Sequence, residues 1–262
     1  MEEFEIGIDA SFTMLQDEDY TLRHFIKIER AGFDVVWLGD HFYPWHHSFK
    51  HNFYVWSMIP AILSRTKKIK SGVAVTVPIG GRYHPAIIAQ ASATIDVMLP
   101  GRFLLGVGAG EAMNELPFLG YWPRWDERIE RLIEALDLIK KLWHEPDFFR
   151  FEGKYYKMNM AFLYLKPKTE IPVYFSAMGE KSSYIAGKHA DILLTVANLD
   201  RFKNVILPNF EKGAKEVGRD PTSIKKAVSI GGGIGDPSEV IKRIKTYIAG
   251  ASIKEMFNEP DP

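Results

Sequence analysis

The stretch Val35-Val36-Trp37-Leu38-Gly39-Asp40-His41-Phe42-Tyr43-Pro44-Trp45 joins a continuous apolar run to a cluster of chemically active side chains. Four apolar residues in succession predict a parallel strand that is buried on both faces. An acid, an imidazole and an indole follow within six residues. In α/β proteins the loops at the carboxyl ends of parallel strands converge on one crevice. The stretch therefore predicts an α/β fold with a functional site just beyond this strand.

A second stretch, Gly106-Val107-Gly108-Ala109-Gly110-Glu111-Ala112-Met113-Asn114-Glu115, repeats this arrangement. Its glycines resemble a dinucleotide fingerprint only superficially, because the third glycine is out of place. Bare backbone N–H groups in such a turn can still approach a phosphate or the edge of a ring. Glu111 follows directly, and a carboxylate at the end of a strand is costly unless it is solvated or used. The two stretches together predict a redox site around a flat, phosphate-bearing cofactor.

Short apolar strands alternate with longer amphipathic helices along the rest of the chain. The pattern predicts strands at 4–9, 35–38, 69–76, 103–108, 172–176, 191–196, 224–230 and 253–257. It predicts helices at 19–31, 53–64, 85–97, 126–143, 180–188, 199–217 and 236–249. A β-excursion near 147–170 interrupts the alternation. Repeated βα units with right-handed connections close into a barrel, so we expect one (β/α)8 TIM-type barrel domain over residues 1–262.

The composition excludes several classes of protein. Lys plus Arg and Asp plus Glu both number 33 among 262 residues, so the formal net charge is zero and no overall field attracts nucleic acid. No apolar run reaches the length that spans a bilayer, and the acidic start does not resemble a secretory signal. The chain has no cysteine, which excludes disulfides and thiol chemistry. We expect a cytoplasmic protein that binds neither nucleic acid nor membrane.

The candidate residues also have structural interpretations. His41 beside Asp40 can serve as a general base, but adjacent side chains on an extended strand point in opposite directions. Trp45 can cover a ring or simply pack at the mouth of the barrel. The spacing of the histidines at 41, 46, 47 and 51 fits neither an HExxH helix nor a tetrahedral structural site, so we predict no metal. The helix starts at 82–85 and 177–183 can bind an anion or can simply be capped.

The motifs resemble the bacterial-luciferase-like superfamily, and within it the branch of oxidoreductases that depend on the deazaflavin coenzyme F420. That branch includes glucose-6-phosphate and secondary alcohol dehydrogenases. The matching motifs are Asp40-His41-Phe42-x-Pro44-Trp45, Tyr83-x-Pro85-Ala86-x-Ile88-Ala89-Gln90-Ala91-x-Ala93-Thr94 and Gly106-Val107-Gly108-x-Gly110-Glu111-Ala112-x-Asn114-Glu115. Pro172-Val173-Tyr174, Ala186-Gly187 and Asp236-Pro237 extend the similarity over nearly the whole chain.

The resemblance implies roles for individual residues. It makes His41 the base for the substrate hydroxyl, Glu111 the acid on the cofactor side and Trp45 the indole beside the reacting centre. It places the cofactor on Asp40, on a non-proline cis peptide at Ala74–Val75, and on Gly108, Ala109, Ala177, Met178 and Gly179. It places the substrate near Thr13, Thr195 and Asn198.

The chain departs from the family pattern at the substrate site. Thr13 stands where the dehydrogenases have a glutamate, and Asn198 replaces the lysine that holds a sugar phosphate. The usual insertion between Ile230 and Gly231 and the final helix are absent, so we expect a shortened C-terminal part.

We expect an enzyme that transfers a hydride between F420 and a small alcohol/carbonyl pair. Two alternatives are an FMN-dependent monooxygenase of the same superfamily and a shortened, non-catalytic flavin-binding protein. The resemblance also implies a homodimer, because relatives pair through early helices, and residues 53–64 of this chain are rich in apolar surface.

Overall fold

The computed structural model describes residues 5–11, 17–45 and 51–229. The strands are β1 (Gly7–Asp9), β2 (Val35–Leu38), β3 (Lys70–Thr76), β4 (Phe103–Val107), β5 (Phe149–Glu152), β6 (Lys157–Ala161), β7 (Val173–Ser176), β8 (Ile192–Val196) and β9 (Lys225–Ser229). The helices are α1 (Glu18–Arg30), α2 (Val55–Arg65), α3 (Pro85–Met98), α4 (Ala112–Leu119), α5 (Trp125–His144), α6 (Glu180–His189), α7 (Leu199–Arg201) and α8 (Leu207–Glu216), with a π-helical segment at Phe202–Ile206.

The chain divides into two compact units. The first comprises Met1–Phe42 and His51–Val173, and the second comprises Tyr43–Lys50 and Tyr174–Pro262. The prediction of a single domain over residues 1–262 stays a prediction.

The first unit is built on parallel strands that follow one another in chain order. β1 pairs with β2, β2 with β3 and β3 with β4, and a register shift interrupts the last pair between Val73 and Thr76. All four residues of β2 are apolar and three of them are buried, as expected for a strand covered on both faces. This order brings the carboxyl ends of β2, β3 and β4 to one edge of the sheet.

A hairpin, β5–β6, leaves this alternating pattern and confirms the predicted β-excursion. The carboxylate of Glu134 on α5 accepts the backbone N–H groups of Lys154, Tyr155 and Tyr156 at 2.9, 2.9 and 2.6 Å. A Cβ at Gly153 would lie 2.0 Å from Oε1 of Glu134, so the turn needs glycine for the carboxylate to reach these amides. The hairpin is thus fixed to the long helix by one half-buried carboxylate.

The second unit contains most of β7, together with β8 and β9, again as neighbouring parallel strands. Helices α6 and α8 pack at very short range in this unit. A Cβ at Gly187 would lie 2.1 Å from the carbonyl oxygen of Phe210, and one at Gly213 would lie 1.9 Å from that of Tyr184. Glycine at both positions therefore allows the two backbones to touch.

The predicted strands within the described residues are all present, with bounds that differ by three residues or fewer. The helix predicted at 199–217 is interrupted by the π-helical segment, and helix α4 was not predicted at all. The predicted helix 236–249, strand 253–257 and shortened C-terminal part lie outside the described residues. In the described part of the chain, no helix has the length and apolar character needed to cross a membrane.

Candidate functional site

A buried ion pair lies at the carboxyl ends of β2 and β3. Nη2 of Arg82 donates to Oδ1 of Asp40 at 2.9 Å, and the two side chains are 6% and 1% exposed. The hydroxyl of Tyr83 donates to the same oxygen at 2.9 Å, and that of Thr76 donates to Oδ2 at 2.8 Å. Nη1 of Arg82 also donates to the backbone oxygen of Asp40 at 3.0 Å. Asp40 is therefore fixed through its carboxylate and its main chain.

Burial and charge oppose each other in this cluster. Burial raises the pKa of Asp40, while the Arg82 cation and the three hydrogen bonds to the carboxylate lower it. Burial, reinforced by the negative charge of Asp40, raises the pKa of Tyr83 and keeps its phenol protonated as a donor. The cluster is a satisfied polar network of the kind that fixes local geometry.

His41 follows directly, and different residues hold it. Nδ2 of Asn114 on α4 lies 3.1 Å from Nδ1 of His41, and Oδ1 of the same amide accepts the backbone N–H of Phe42 at 2.8 Å. Nδ2 of Asn52 donates to the backbone oxygen of His41 at 2.6 Å. The carboxylate of Asp40 is bonded to Thr76, Arg82 and Tyr83 and the imidazole to Asn114, so the two adjacent side chains have different partners.

The imidazole of His41 is neutral at physiological pH. Burial, with a further contribution from the Arg82 cation, lowers the pKa of His41 to about 4. A neutral imidazole carries one N–H and one lone pair, so it can exchange a proton or a hydrogen bond with a substrate oxygen.

Two acids of α4 lie beside this arrangement. Glu111 is the N-cap residue of the helix, and its backbone oxygen accepts the N–H groups of Asn114 and Glu115, both at 3.1 Å. Glu115 is 1% exposed, and its Oε2 accepts the backbone N–H of Arg82 at 3.4 Å. Burial raises the pKa of Glu115 to about 7, because the bond from Arg82 and the Arg82 charge oppose that shift only in part.

The backbone follows an irregular course where β3 and β4 end. The peptide Ala74–Val75 is cis, as predicted, and lies within the register shift of β3. A Cβ at Gly106 would lie 2.1 Å from the carbonyl oxygen of Val73, so this course of β3 requires glycine opposite it. The N–H of Gly108 donates to the carbonyl oxygen of Thr76 at 3.2 Å.

Arg128 of α5 binds the glycine turn that follows β4. Its Nη1 donates to the carbonyl oxygens of Ala109 and Gly110 at 3.3 and 3.2 Å, and its guanidinium lies 4.0 Å from the ring centroid of Trp122. Gly110 has a φ of +83°, which favours glycine.

In the second unit, the predicted cofactor residues Ala177, Met178 and Gly179 form the turn before α6. Oγ of Ser182 accepts the N–H groups of Met178 and Gly179 at 3.2 and 3.1 Å, so Ser182 is a cap for this turn. Arg201 donates to the carbonyl oxygen of Met178 from Nε at 3.1 Å and from Nη2 at 2.7 Å.

Three further predicted residues belong to the second unit. Thr195 on β8 is fully buried, and its Oγ1 has no hydrogen-bond partner among the described residues. Asn198 is the N-cap of α7, because its Oδ1 accepts the N–H of Arg201 at 2.8 Å. Trp45 is half-buried. Thr13 lies outside the described residues.

The structure therefore brings His41, Asp40, Glu111, Ala74, Val75, Gly108 and Ala109 together in the first unit. Sequence reasoning missed Thr76, Arg82, Tyr83, Asn114 and Glu115 as parts of the site. Asn114 and Glu115 lie in the second quoted stretch, and Arg82 and Tyr83 lie at a predicted helix start. Among the described residues, no group of three or more His, Asp or Glu side chains is arranged to hold a metal ion. His46 and His47 lie outside the described residues.

Comparison with known proteins reveals extensive similarity. The profile of the luciferase-like monooxygenase family matches residues 8–260. The F420-dependent glucose-6-phosphate dehydrogenase of Segniliparus rotundus is 40% identical over 229 residues, which are 86% of this chain and 68% of that protein. The F420-dependent hydroxymycolic acid dehydrogenase of Mycobacterium tuberculosis is 36% identical over 246 residues, covering 93% of this chain and 66% of that protein.

A solved structure gives the same result. An F420-dependent secondary alcohol dehydrogenase in complex with an F420–acetone adduct superimposes with a TM-score of 0.81 at 42% identity, covering 86% of this chain and 68% of that one. This likeness confirms the predicted α/β, TIM-barrel-like fold class. Together with the sequence relatives, it also confirms the resemblance to the F420-dependent branch.

Proposed function

The chain belongs to the luciferase-like monooxygenase family, and we propose that it is an oxidoreductase that transfers a hydride between coenzyme F420 and a small alcohol/carbonyl pair. Relatives that are 34–42% identical are F420-dependent dehydrogenases, which supports both the cofactor and the reaction class. The observation that carries the proposal is the neutral imidazole of His41, fixed by Asn114 at the edge where β2, β3 and β4 end.

The residues at this edge fit a flat cofactor ring. Gly106 permits the displaced course of β3 at Ala74 and Val75, because any side chain there would meet the oxygen of Val73. In the proposal, the deazaflavin would lie against Ala74, Val75, Gly108 and Ala109. Ala177, Met178 and Gly179 are kept as cofactor residues from the family resemblance alone. When bound, the deazaflavin accepts a hydride from an alcohol or returns one to a carbonyl compound.

The role proposed for Asp40 follows from its hydrogen bonds. All of its described carboxylate bonds go to Thr76, Arg82 and Tyr83. We therefore propose that Asp40 contributes to cofactor binding by fixing the position of the loop after β2. Its negative charge holds the donor groups of Thr76, Arg82 and Tyr83 in place.

Proton handling is divided between two side chains in this proposal. His41 meets the substrate oxygen and takes the hydroxyl proton when an alcohol is oxidised, which requires the neutral ring that burial provides. Glu111 serves the cofactor, at the start of α4 and directly after the glycine turn. Trp45 is kept as a substrate residue from the family resemblance alone. A base beside the reacting oxygen is needed because hydride leaves a carbon readily only as its hydroxyl proton is removed.

The substrate is proposed to be small and uncharged. Asn198 caps α7 and carries no charge, so it cannot neutralise a phosphate as a lysine at this position would. The buried hydroxyl of Thr195 without a partner among the described residues is a candidate contact for a substrate oxygen, because such groups are usually satisfied. Thr13 is retained as a substrate residue from the family resemblance alone.

A homodimer in the cytoplasm completes the proposal. The family resemblance supports the dimer, whereas the apolar residues of α2 do not, since Val55, Trp56, Met58, Ile59, Ile62 and Leu63 are buried within the first unit. Light scattering should give twice the molar mass of the chain across a wide concentration range. The mass of a single chain throughout would contradict the dimer.

Cofactor titration followed by an alcohol screen tests the function. F420 should quench or shift protein fluorescence at micromolar concentration, and secondary alcohols should bleach F420 absorbance. His41→Ala and Glu111→Gln should each lower turnover by about two to four orders of magnitude, with F420 affinity within about tenfold. Trp45→Ala should mainly raise KM. Binding of FMN without binding of F420 would support the monooxygenase alternative, and F420 binding without turnover of any alcohol or carbonyl would support a non-catalytic protein.

A further inference from the structure

The side-chain amide of Asn114 touches two consecutive residues of the β2 loop. Its Oδ1 accepts the backbone N–H of Phe42 at 2.8 Å, and its Nδ2 lies 3.1 Å from Nδ1 of His41. The backbone N–H of Phe42 can only donate, so it decides which end of the amide is the oxygen. The nitrogen end must then face the imidazole.

This polarity determines where the imidazole proton sits. An amide nitrogen donates hydrogen bonds and does not accept them, so Nδ1 of His41 must accept and carries no proton. The neutral ring has a single N–H, which is therefore on Nε2. A doubly protonated ring would set two donors against each other, so Asn114 disfavours the imidazolium as well as the Nδ1–H tautomer.

We propose that Asn114 is a positioning residue that keeps His41 in the Nε2–H tautomer, so that His41 binds a carbonyl oxygen of the substrate as a hydrogen-bond donor. The tautomer follows from this chain alone, whereas the carbonyl ligand rests on the proposed function. A carbonyl oxygen only accepts hydrogen bonds, so it matches Nε2–H directly.

Proton abstraction from an alcohol by His41 has a structural requirement. Nε2 can take a hydroxyl proton from an alcohol only when the ring proton has moved to Nδ1. The amide of Asn114 must then reverse to accept that proton, and its bond from the N–H of Phe42 is lost. The base role of His41 is therefore coupled to rotation of one amide.

Histidine-selective ¹⁵N NMR on the cofactor-free chain of 262 residues tests the tautomer. The signals of His41 are assigned among the 8 histidines by their loss in His41→Gln. Near pH 7, wild type should show a protonated Nε2 and an unprotonated Nδ1. In Asn114→Asp, a carboxylate accepts from both Phe42 N–H and the ring, so the proton should move to Nδ1 and the pKa of His41 should rise. Asn114→Ala, which introduces no charge, should give a mixture of tautomers.

Asn52→Ala is the matched control, because it removes a bond to the backbone oxygen of His41 and leaves the ring contact intact. It should preserve the Nε2–H pattern. A protonated Nδ1 in wild type, or an unchanged tautomer in both Asn114 variants, would overturn the proposal.

The carbonyl contact is tested separately on the F420-loaded protein. Acetone should inhibit alcohol oxidation with an inhibition constant at least about tenfold higher in Asn114→Asp than in wild type, because the donor has become an acceptor. Equal inhibition would overturn the donor role while leaving the tautomer result in place. Failure of F420 to bind would instead refute the proposed function, and the NMR result would be unaffected.

Discussion

Loss of Arg82 should destabilise the protein far more than loss of an ordinary surface cation. Arg82→Met keeps an apolar stem of similar length and removes the guanidinium. The Asp40 carboxylate would then keep the hydroxyls of Tyr83 and Thr76 and lose its countercharge. Its side chain is 1% exposed, so water cannot readily replace the lost cation.

The magnitude follows from burial of the pair. Removing one partner of a buried ion pair costs about 3–5 kcal/mol, because the other charge is left uncompensated. Two hydrogen bonds from the guanidinium to Asp40 are lost as well, one to the carboxylate and one to the backbone oxygen, which places the expected loss within that range rather than below it. Adding Asp40→Asn removes the stranded charge and should recover about 1–2 kcal/mol.

The loss should also depend on pH. Burial raises the pKa of Asp40 and Arg82 lowers it, so removing Arg82 raises this pKa further. The folded variant then holds a proton at a pH where the unfolded chain has lost it, and stability falls as pH rises through that interval. The deficit of Arg82→Met relative to wild type should therefore be larger at pH 8 than at pH 5.

Urea unfolding of wild type, Arg82→Met and the double variant at both pH values measures these differences. Arg23→Met is the control, since the Arg23–Asp19 pair is 68% and 81% exposed and its loss should change stability by less than about 0.5 kcal/mol. A loss below about 1 kcal/mol for Arg82→Met, or a double variant less stable than the single one, would refute the reasoning.

Three further outcomes are expected. The pKa of Glu115 is raised from 4.5 to about 7, so the carboxylate form weakens the fold; Glu115→Gln should gain up to about 3 kcal/mol over wild type between pH 4.5 and pH 8 in urea unfolding, and a pH-independent difference would contradict this. His41 should titrate near pH 4 by NMR, and a midpoint near 6.5 would show that burial does not control it. Gly106→Ala places a Cβ 2.1 Å from the oxygen of Val73 and should abolish F420 binding, whereas Gly7→Ala, with neighbours at 3.4 Å, should bind F420 normally; unchanged binding by Gly106→Ala would contradict the proposed ring site.

The sequence predicts the strands and most of the helices because the patterns that specify them are short-range. Continuous apolar runs give the parallel strands, and Gly32, which follows the C-cap residue of α1, has a φ of +91° that favours glycine. Short-range patterns likewise placed His41 and Glu111 just beyond strands. Helix α4 is not predicted because its 8 residues are too few to show a periodic apolar stripe, and Pro117 argues against a helix.

The partners of the site residues could not be predicted in the same way. Thr76, Arg82 and Asn114 reach the β2 loop from positions 36 to 73 residues along the chain. Only the register of β2, β3 and β4 brings them together, and local pattern carries no information on such distances. The same limit explains why the sequence does not single out Glu115, because its raised pKa results from burial and burial depends on tertiary packing.

Helix α4 links the two halves of the site through adjacent residues. Asn114 bonds the loop after β2 at His41 and Phe42, while Glu115 accepts the N–H of Arg82 from the loop after β3. Arg82 also donates to Asp40, which precedes His41, so hydrogen bonds connect α4 with both loops and the two loops with each other. Glu115 has a pKa of about 7, so it gains or loses its negative charge near neutral pH. This change of charge takes place on the residue next to Asn114, which sets the tautomer of His41. Helix α4, which the sequence does not predict, is therefore the element that connects the candidate acid, the candidate base and the ion pair.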